Sequence, residues 1–174
     1  MHNVNIEAVE RAARQAQADP SSVRQPVELS GEWEVAEGAP QFRATIPYPN
    51  GEVELTCDFP PPLGGTGAAP NPLVYCLWGG IACYAMTYAL EAAREGVELR
   101  ALHGTITTEV DQSRALGVSD RPPVEQVAWE LDVDADASAE LLERLRARAD
   151  DRCPGVYCMR NAIPLVTRLA DDGP

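Results

Sequence analysis

Apolar and polar residues alternate along three stretches in the first third of the chain. The alternation covers residues 27–35, 42–46 and 52–58, and a Pro-Asn-Gly turn signal at residues 49–51 joins the last two. A period of two places the apolar side chains on one face of a strand and the polar side chains on the other. The pattern therefore predicts a sheet with one covered face and one solvated face.

Three other segments show helical spacing. Apolar residues at intervals of three and four predict a weakly amphipathic helix over 4–18 and a second amphipathic helix over 137–149. Between them, residues 73–90 are 18 uncharged and mostly apolar residues, which Asn71 caps and which continue as helix to about Arg94. The run reaches the lower limit for a membrane span. Its short length and its two adjacent glycines favour a buried core helix.

The order of the predicted elements indicates the fold class. Two more strands are predicted over 97–110 and 124–134, and a last strand over 162–169. Because strands dominate and the helices are grouped rather than alternating with the strands, the fold class is α+β. We expect residues 1–22 to form a peripheral N-terminal helix or extension, and residues 23–174 to form a single domain.

Composition and charge exclude several classes of function. The chain has 14 arginines, no lysine and 27 acidic residues, and its formal net charge is −13. Without lysine it can form neither a Schiff base nor a P-loop. A strongly negative protein repels nucleic-acid phosphates and anionic lipid surfaces, so we predict no nucleic-acid partner and no membrane association.

Five cysteines are the candidate chemistry of the chain, at positions 57, 76, 83, 153 and 158. Their odd number and uneven spacing do not match a disulfide framework, and the polar N-terminus has no secretory signal. We therefore predict reduced thiols in the cytoplasm. No pair of cysteines has the spacing of a zinc site, so no metal and no cofactor are predicted.

Local environment distinguishes two of these thiols. Cys83 lies in the middle of the apolar helix, where burial raises a thiol pKa and leaves the group inert. Cys153 precedes Pro154, which can open a new helical turn and place the thiol at a helix N-terminus. That position favours the thiolate. From the residues alone, Cys153 is the activated thiol and Cys83 is a core cysteine.

Taken together, these motifs resemble the OsmC/Ohr family of peroxiredoxin-like organic hydroperoxide reductases. The resemblance rests on Asn71-Pro72, on Cys83 twelve residues after the Asn, and on Cys153-Pro154 about 70 residues further on. It covers most of residues 27–169. It implies the OsmC-like fold, in which antiparallel-rich sheets pack around a long buried central helix and two chains form an intertwined homodimer.

The resemblance also implies a mechanism. Cys83 would be the peroxidatic cysteine that attacks an organic hydroperoxide and becomes a sulfenic acid, and Cys153 would resolve it as a disulfide. A dithiol reductant, which is a lipoylated protein for some members, would reduce that disulfide. The family takes an arginine from an early strand to stabilise the thiolate and the peroxide oxygen, and Arg43 is the candidate here.

One position departs from the family pattern and keeps other functions open. Peroxidase members carry a Glu that holds the arginine in place, ten residues before the cysteine, where this chain has Leu73. The chain could therefore be a hydroperoxide reductase, a thiol–disulfide oxidoreductase or a non-catalytic OsmC-like protein that binds an apolar small ligand. Cys76 and Cys158 could be bystanders or further thiols of the site.

Overall fold

The structure is a computed structural model, and it describes residues 3–170 of the chain. The helices are α1 (Ile6–Ala18), α2 (Pro72–Arg94), α3 (Ala139–Arg152) and α4 (Pro154–Arg160). The strands are β1 (Glu32–Trp33), β2 (Phe42–Tyr48), β3 (Gly51–Cys57), β4 (Leu99–Thr108) and β5 (Val127–Ala135). The predicted α+β class is confirmed, with antiparallel sheets and a long central helix.

The strands form two separate antiparallel sheets. β1, β2 and β3 form a three-stranded sheet, and β4 pairs with β5 in a long two-stranded ladder. The predicted turn closes the β2–β3 hairpin, in which Tyr48 pairs with Gly51 and Phe42 pairs with Cys57 at the other end. The two-residue connection fixes this register, because hairpin length and turn type determine which residues face each other.

Two of the predicted strands are wrong in extent. Of the predicted strand over 27–35, only Glu32 and Trp33 pair with β2. The predicted strand over 162–169 is not a strand, and Leu165 and Val166 in it are more than four-fifths exposed. Alternation describes the faces of a strand, but a strand also needs a neighbouring edge for its backbone hydrogen bonds. Within residues 3–170, residues 27–31 and 162–169 pair with no strand.

Helix α2 begins where its capping signal predicts. The Asn71 side chain accepts a hydrogen bond from the Leu73 N–H at 2.9 Å, and Pro72 occupies the first helical position, where no N–H is needed. One side of α2 packs against β4, α3 and α4 and builds the core with them. The buried core residues are Ile81, Tyr84, Tyr88, Ala92, Val97, Leu145, Ala149, Cys153 and Val156.

Within the described residues, α2 is the one helix long and apolar enough to cross a membrane. Its packing is nevertheless that of a core helix. Glu91, on its last turns, is 1% exposed and forms ion pairs with Arg94 and Arg152. A carboxylate held between two guanidinium groups on the packed side of the helix fits a protein core and not a lipid-facing surface.

Helix α1 lies apart from this core. The Asn5 side chain caps it by accepting a hydrogen bond from the Ala8 N–H at 3.0 Å, and none of its residues is buried. It contacts mainly the short 3₁₀ turn at Pro20–Val23. The boundary between an extension over 1–22 and a domain over 23–174 stays a prediction, and its outermost residues, 1, 2 and 171–174, lie outside the described residues.

The two adjacent glycines of α2 differ in what surrounds them. A Cβ on Gly80 would lie 2.9 Å from Cζ2 of Trp129 and 3.4 Å from Cε of Met159, whereas a Cβ on Gly79 would have no atom within 4 Å. Gly80 therefore allows β5 and α4 to approach the helix. Gly79 only lowers the helix propensity of the segment.

We predict opposite effects of alanine at these two positions. Gly80→Ala should lower the free energy of unfolding by about 1–3 kcal/mol, because Trp129 must move to make room. Gly79→Ala should raise it by up to about 1 kcal/mol through helix propensity. Urea denaturation followed by circular dichroism measures both. Equal effects at the two positions would contradict the close packing described at Gly80.

Candidate functional site

The structure brings Cys83 and Cys153 together. Their Sγ atoms are 3.5 Å apart, although 70 residues separate them along the chain. Cys83 lies in the middle of α2 and is partly buried, whereas Cys153 is 1% exposed. Both thiols are free. Two sulfur atoms at this distance need only a small movement to reach the bonding distance of about 2.05 Å.

Cys153 owes its position to the junction between two helices. Its N–H donates to the Ala149 carbonyl at 2.9 Å and so ends α3, while its own carbonyl accepts from the Tyr157 N–H at 3.0 Å and begins α4. Pro154 takes the first position of α4, as predicted. The backbone of Cys153 is extended, with φ −74° and ψ 119°, so the chain changes direction at the cysteine itself.

A glycine lets the start of α4 lie directly on α2. A Cβ on Gly155 would be 3.3 Å from the Cβ of Cys83 and 3.3 Å from the Gly80 carbonyl oxygen. The Gly155 N–H donates a hydrogen bond to the Cys83 sulfur. With a larger residue at this position, α4 would be pushed away from α2, and Cys153 would move away from Cys83 with it.

The surroundings of Cys83 favour its neutral thiol. Burial raises the pKa of Cys83, and the neighbouring Cys153 raises it further, while the hydrogen bond from Gly155 opposes both effects in part. A thiolate loses more hydration energy than a thiol when water is removed. The pKa is thus raised at this mid-helix position, as expected.

Arg43 lies in the three-stranded sheet and not at the cysteine pair. It belongs to β2, where it forms one ion pair with Glu32 at 2.6 Å and a second with Glu34. Both carboxylates lie in or beside its own three-stranded sheet, and none of its polar contacts within residues 3–170 reaches Cys83 or Cys153. A single chain thus unites two of the three predicted site residues and leaves the third outside.

A pocket with a mixed apolar and polar lining lies near the junction. It has a volume of about 400 Å³ and lies between β5 and α4. Its wall combines five apolar residues with four charged or polar ones: Val124, Val127, Trp129, Val156 and Met159, and Glu125, Gln126, Asp150 and Arg160. The ring of Trp129 packs on Tyr84 with a centroid distance of 5.5 Å, and Tyr84 directly follows Cys83. The pocket is thus connected to the helix that carries Cys83 through the contact of Trp129 with Tyr84.

Polar residues beside the pair were missed by the sequence analysis. Tyr84 donates to Asp150 at 2.7 Å, and Glu91 pairs with Arg152 at 2.6 Å. The signal for this contact in the sequence was Glu91 itself, an acidic residue near the end of an otherwise apolar helix. A buried carboxylate needs a cationic partner, so its position predicts a nearby arginine.

The remaining cysteines lie outside the pair. Cys76 and Cys158 are exposed, and burial raises the pKa of Cys57 in β3. Within residues 3–170, no group of three or more His, Cys, Asp or Glu side chains is placed to hold a metal ion.

A family model described as OsmC-like protein matches residues 65–168. The chain belongs to the OsmC-like family. The matched region runs from the loop before α2 to the segment after α4 and includes Cys83 and Cys153, while β1, β2 and Arg43 precede it. No curated protein matches the chain significantly.

Solved structures of the same fold cover most of the chain. An OsmC-like protein from Mycoplasma pneumoniae has a TM-score of 0.58 at 14% identity and covers 79% of this chain and 89% of its own. Organic hydroperoxide resistance proteins match it too. The one from Legionella pneumophila has a TM-score of 0.54 at 19% identity, with coverages of 79% and 92%. The one from Elizabethkingia anophelis has a TM-score of 0.51 at 18% identity, with coverages of 79% and 91%. At these identities the similarity shows the fold alone.

Proposed function

We propose that this protein is a thiol peroxidase that reduces organic hydroperoxides, with Cys83 as the peroxidatic and Cys153 as the resolving cysteine. The observation that carries the proposal is the 3.5 Å separation of the two sulfur atoms. Membership of the OsmC-like family supports it, because several structures of this fold are organic hydroperoxide resistance proteins. The apolar part of the pocket wall beside α4, which includes Trp129, Val156 and Met159, supports a peroxide with an apolar group as the substrate.

The proposed reaction has two steps on the protein. The Cys83 thiolate attacks the outer oxygen of the hydroperoxide, the O–O bond breaks, and the alkoxide leaves and takes a proton to become an alcohol. Cys83 is now a sulfenic acid. The sulfur of Cys153 then attacks that of Cys83, the S–S bond forms, and hydroxide leaves and is protonated to water. The two cysteines lose two electrons in total and the hydroperoxide gains them.

A dithiol completes the proposed cycle. It passes two electrons to the Cys83–Cys153 disulfide by thiol–disulfide exchange and becomes a disulfide itself. A lipoylated protein is one reductant of this chemistry.

The first expected outcome is a specific disulfide. One equivalent of cumene hydroperoxide added to the reduced protein should convert Cys83 and Cys153 into a mutual disulfide, detected by alkylation and peptide mass spectrometry. Cys83→Ser should abolish it. Cys76→Ser and Cys158→Ser are the matched controls, and both should still form it because these cysteines lie outside the pair.

A second candidate function is thiol–disulfide exchange without peroxide chemistry. It is favoured by Leu73, which stands where peroxidases of the family carry a Glu, and by the additional thiols Cys76 and Cys158. If Cys83 and Cys153 couple in an oxidising glutathione buffer but not with cumene hydroperoxide, this second function replaces the first. If they couple under neither condition, the remaining role is that of a non-catalytic protein that binds an apolar small ligand.

Arg43 is the cation proposed to assist Cys83. To act there it must exchange Glu32 and Glu34 for the sulfur and the peroxide oxygen, since it is paired with both carboxylates now. A guanidinium next to the breaking O–O bond stabilises the charge that develops on the oxygen. With Leu73 on the first turn of α2, no carboxylate at that position holds the arginine toward the cysteine.

Removal of this arginine should slow the first step. We expect Arg43→Ala to reduce the rate of Cys83 oxidation by cumene hydroperoxide at least about tenfold. Arg100→Ala is the matched control, because Arg100 is likewise an exposed strand arginine paired with a carboxylate, that of Asp134. Stopped-flow tryptophan fluorescence or timed alkylation measures the rates. Equal rates for Arg43→Ala and the wild type would remove Arg43 from the site.

A second copy of the chain is the partner proposed for the exposed apolar surface. Val74, Trp78 and Met86 recur at helical spacing on α2 and are 52%, 65% and 73% exposed. The sheet β1–β3 contacts mainly itself, and Trp33 and Val53 on it are 58% and 45% exposed. Large apolar residues at this density mark an interface. An intertwined homodimer would cover both surfaces and bring the β2 strand of one subunit to the cysteine pair of the other.

The dimer gives a direct prediction for solution. The reduced protein should sediment as a dimer, and Met86→Glu should shift it toward the monomer, because the new carboxylate would be buried at the interface. Val118→Glu is the matched control, as Val118 is 74% exposed but lies in the loop between β4 and β5. Analytical ultracentrifugation distinguishes the species. A monomeric wild type, or a dimer that tolerates Met86→Glu, would contradict this interface.

A further inference from the structure

The last turn of α3, which leads directly into Cys153, is fastened to α2 by two polar bridges. One bridge joins Arg152 to Glu91, and the other joins Asp150 to Tyr84. We call these four residues the α3 clamp. Three of them lie close to the cysteines along the chain. Tyr84 directly follows Cys83, Arg152 directly precedes Cys153, and Asp150 lies three residues before Cys153.

The first bridge ends on a buried carboxylate. Glu91 is 1% exposed, and its two oxygens are divided between two arginines. Oε2 contacts Nη1 of Arg152 at 2.6 Å and Oε1 contacts Nη1 of Arg94 at 2.7 Å. Arg94 lies on the same helix as Glu91, so only Arg152 uses this carboxylate to connect two helices. Charge-assisted hydrogen bonds of this kind are about twice as strong as neutral ones.

The second bridge joins three helices. The Tyr84 hydroxyl donates to Oδ1 of Asp150 at 2.7 Å, and Oδ2 of Asp150 accepts from Arg146 at 2.9 Å and from Arg160 of α4 at 3.0 Å. Burial would raise the pKa of Asp150, but the hydrogen bonds from Tyr84 and Arg160 outweigh it, and the pKa lies below its usual value. Asp150 is therefore ionised at neutral pH, and it connects α2, α3 and α4 around the junction.

The junction needs such support because Cys153 is the point where the helical backbone stops and restarts. Cys153 is extended, and the backbone hydrogen bonds at this point are the two that Cys153 itself makes, to Ala149 and from Tyr157. Beside them, the contact between Arg160 and Asp150 joins α4 to α3, so the angle between the helices depends on side-chain contacts. Disulfide geometry tolerates little error in the positions of the two Cα atoms. Small rotations of α3 on α2 would thus separate the sulfur atoms.

We propose that the α3 clamp positions Cys153 for disulfide formation with Cys83 and so sets how readily the disulfide forms. The four residues act through the backbone of α3 and through Tyr84, and they are positioning residues and not catalytic ones. The inference rests on the proposed function for the purpose of the disulfide. It does not rest on peroxide reactivity, because the clamp acts on any oxidation that joins these two thiols.

The test measures the disulfide equilibrium in glutathione redox buffers, with the Cys83–Cys153 fraction quantified by alkylation and mass spectrometry. Arg152→Gln removes one bridge and leaves Glu91 paired with Arg94, while Tyr84→Phe removes the other bridge and keeps the ring. Each variant should lower the equilibrium constant for disulfide formation about tenfold, because the loss of one hydrogen bond to a charged group changes an equilibrium constant by about a factor of ten. The double variant should lose more than either single one, and Arg152→Lys should recover part of the loss.

A matched control uses the same two helices. Glu95, just after α2, pairs with Arg148 of α3, but both side chains are more than one-third exposed. An exposed pair contributes little, so Glu95→Gln should change the equilibrium by no more than about twofold. Circular dichroism confirms that each variant is folded under the conditions of the measurement, and the equilibrium constant then reports position rather than overall stability.

The outcomes separate this inference from the proposed function. If folded Arg152→Gln and Tyr84→Phe match the wild type in glutathione buffer, or if Glu95→Gln has an equal effect, the clamp does not position Cys153. If the wild type forms no Cys83–Cys153 disulfide in that buffer, the inference is also overturned. Failure of the peroxidase proposal gives a different result. The disulfide then forms in glutathione buffer, with lower equilibrium constants for the clamp variants than for the wild type, but it does not form with hydroperoxide.

Discussion

The close approach of α4 to the middle of α2 is the constraint on which the site depends. Two backbones can come this near only where no Cβ separates them, and Gly80 and Gly155 provide that space on the two sides of the contact. The cysteines lie next to these glycines, so the distance between the sulfur atoms is a consequence of how closely the helices pack. Trp129 and Met159 fill the volume beside Gly80 and transmit the same constraint to β5 and to the pocket.

The electrostatics of the site favour the neutral thiol of Cys83, whose pKa is raised. Burial opposes the thiolate of Cys83, and one hydrogen bond from a backbone N–H offsets only part of that cost. Each unit of pKa corresponds to about 1.4 kcal/mol of preference for the neutral form. The charges near the pair are used for structure instead, because Glu91 and Asp150 neutralise the arginines on the last turn of α3 and at the end of α4. A reactive thiolate therefore requires a cation from outside this group of residues.

Sequence patterns predicted the features that depend on neighbouring residues. Asn71 and Pro72 start α2, the Pro-Asn-Gly turn closes the β2–β3 hairpin, and Cys153-Pro154 begins α4, because capping and turn chemistry act over a few residues. The pairing of Cys83 with Cys153 followed from a family resemblance and not from spacing. Strands over 27–31 and 162–169 failed because a ladder partner cannot be deduced from alternation. The contact of Tyr84 with Asp150 joins residues 66 positions apart, and no pattern in the residues next to either of them predicts it.

The two cysteines differ in exposure, and this difference determines which sulfur of a Cys83–Cys153 disulfide an incoming thiol can attack. Cys153 is 1% exposed, whereas Cys83 is only partly buried. An incoming thiolate must approach a disulfide in line with its S–S bond, and here it can reach only the Cys83 sulfur. In the proposed cycle, the mixed disulfide with the reductant would therefore be carried by Cys83, and Cys153 would be the leaving group and keep its buried position. Under this proposal the buried cysteine would not contact the reductant, and the surface around Cys83 would select it.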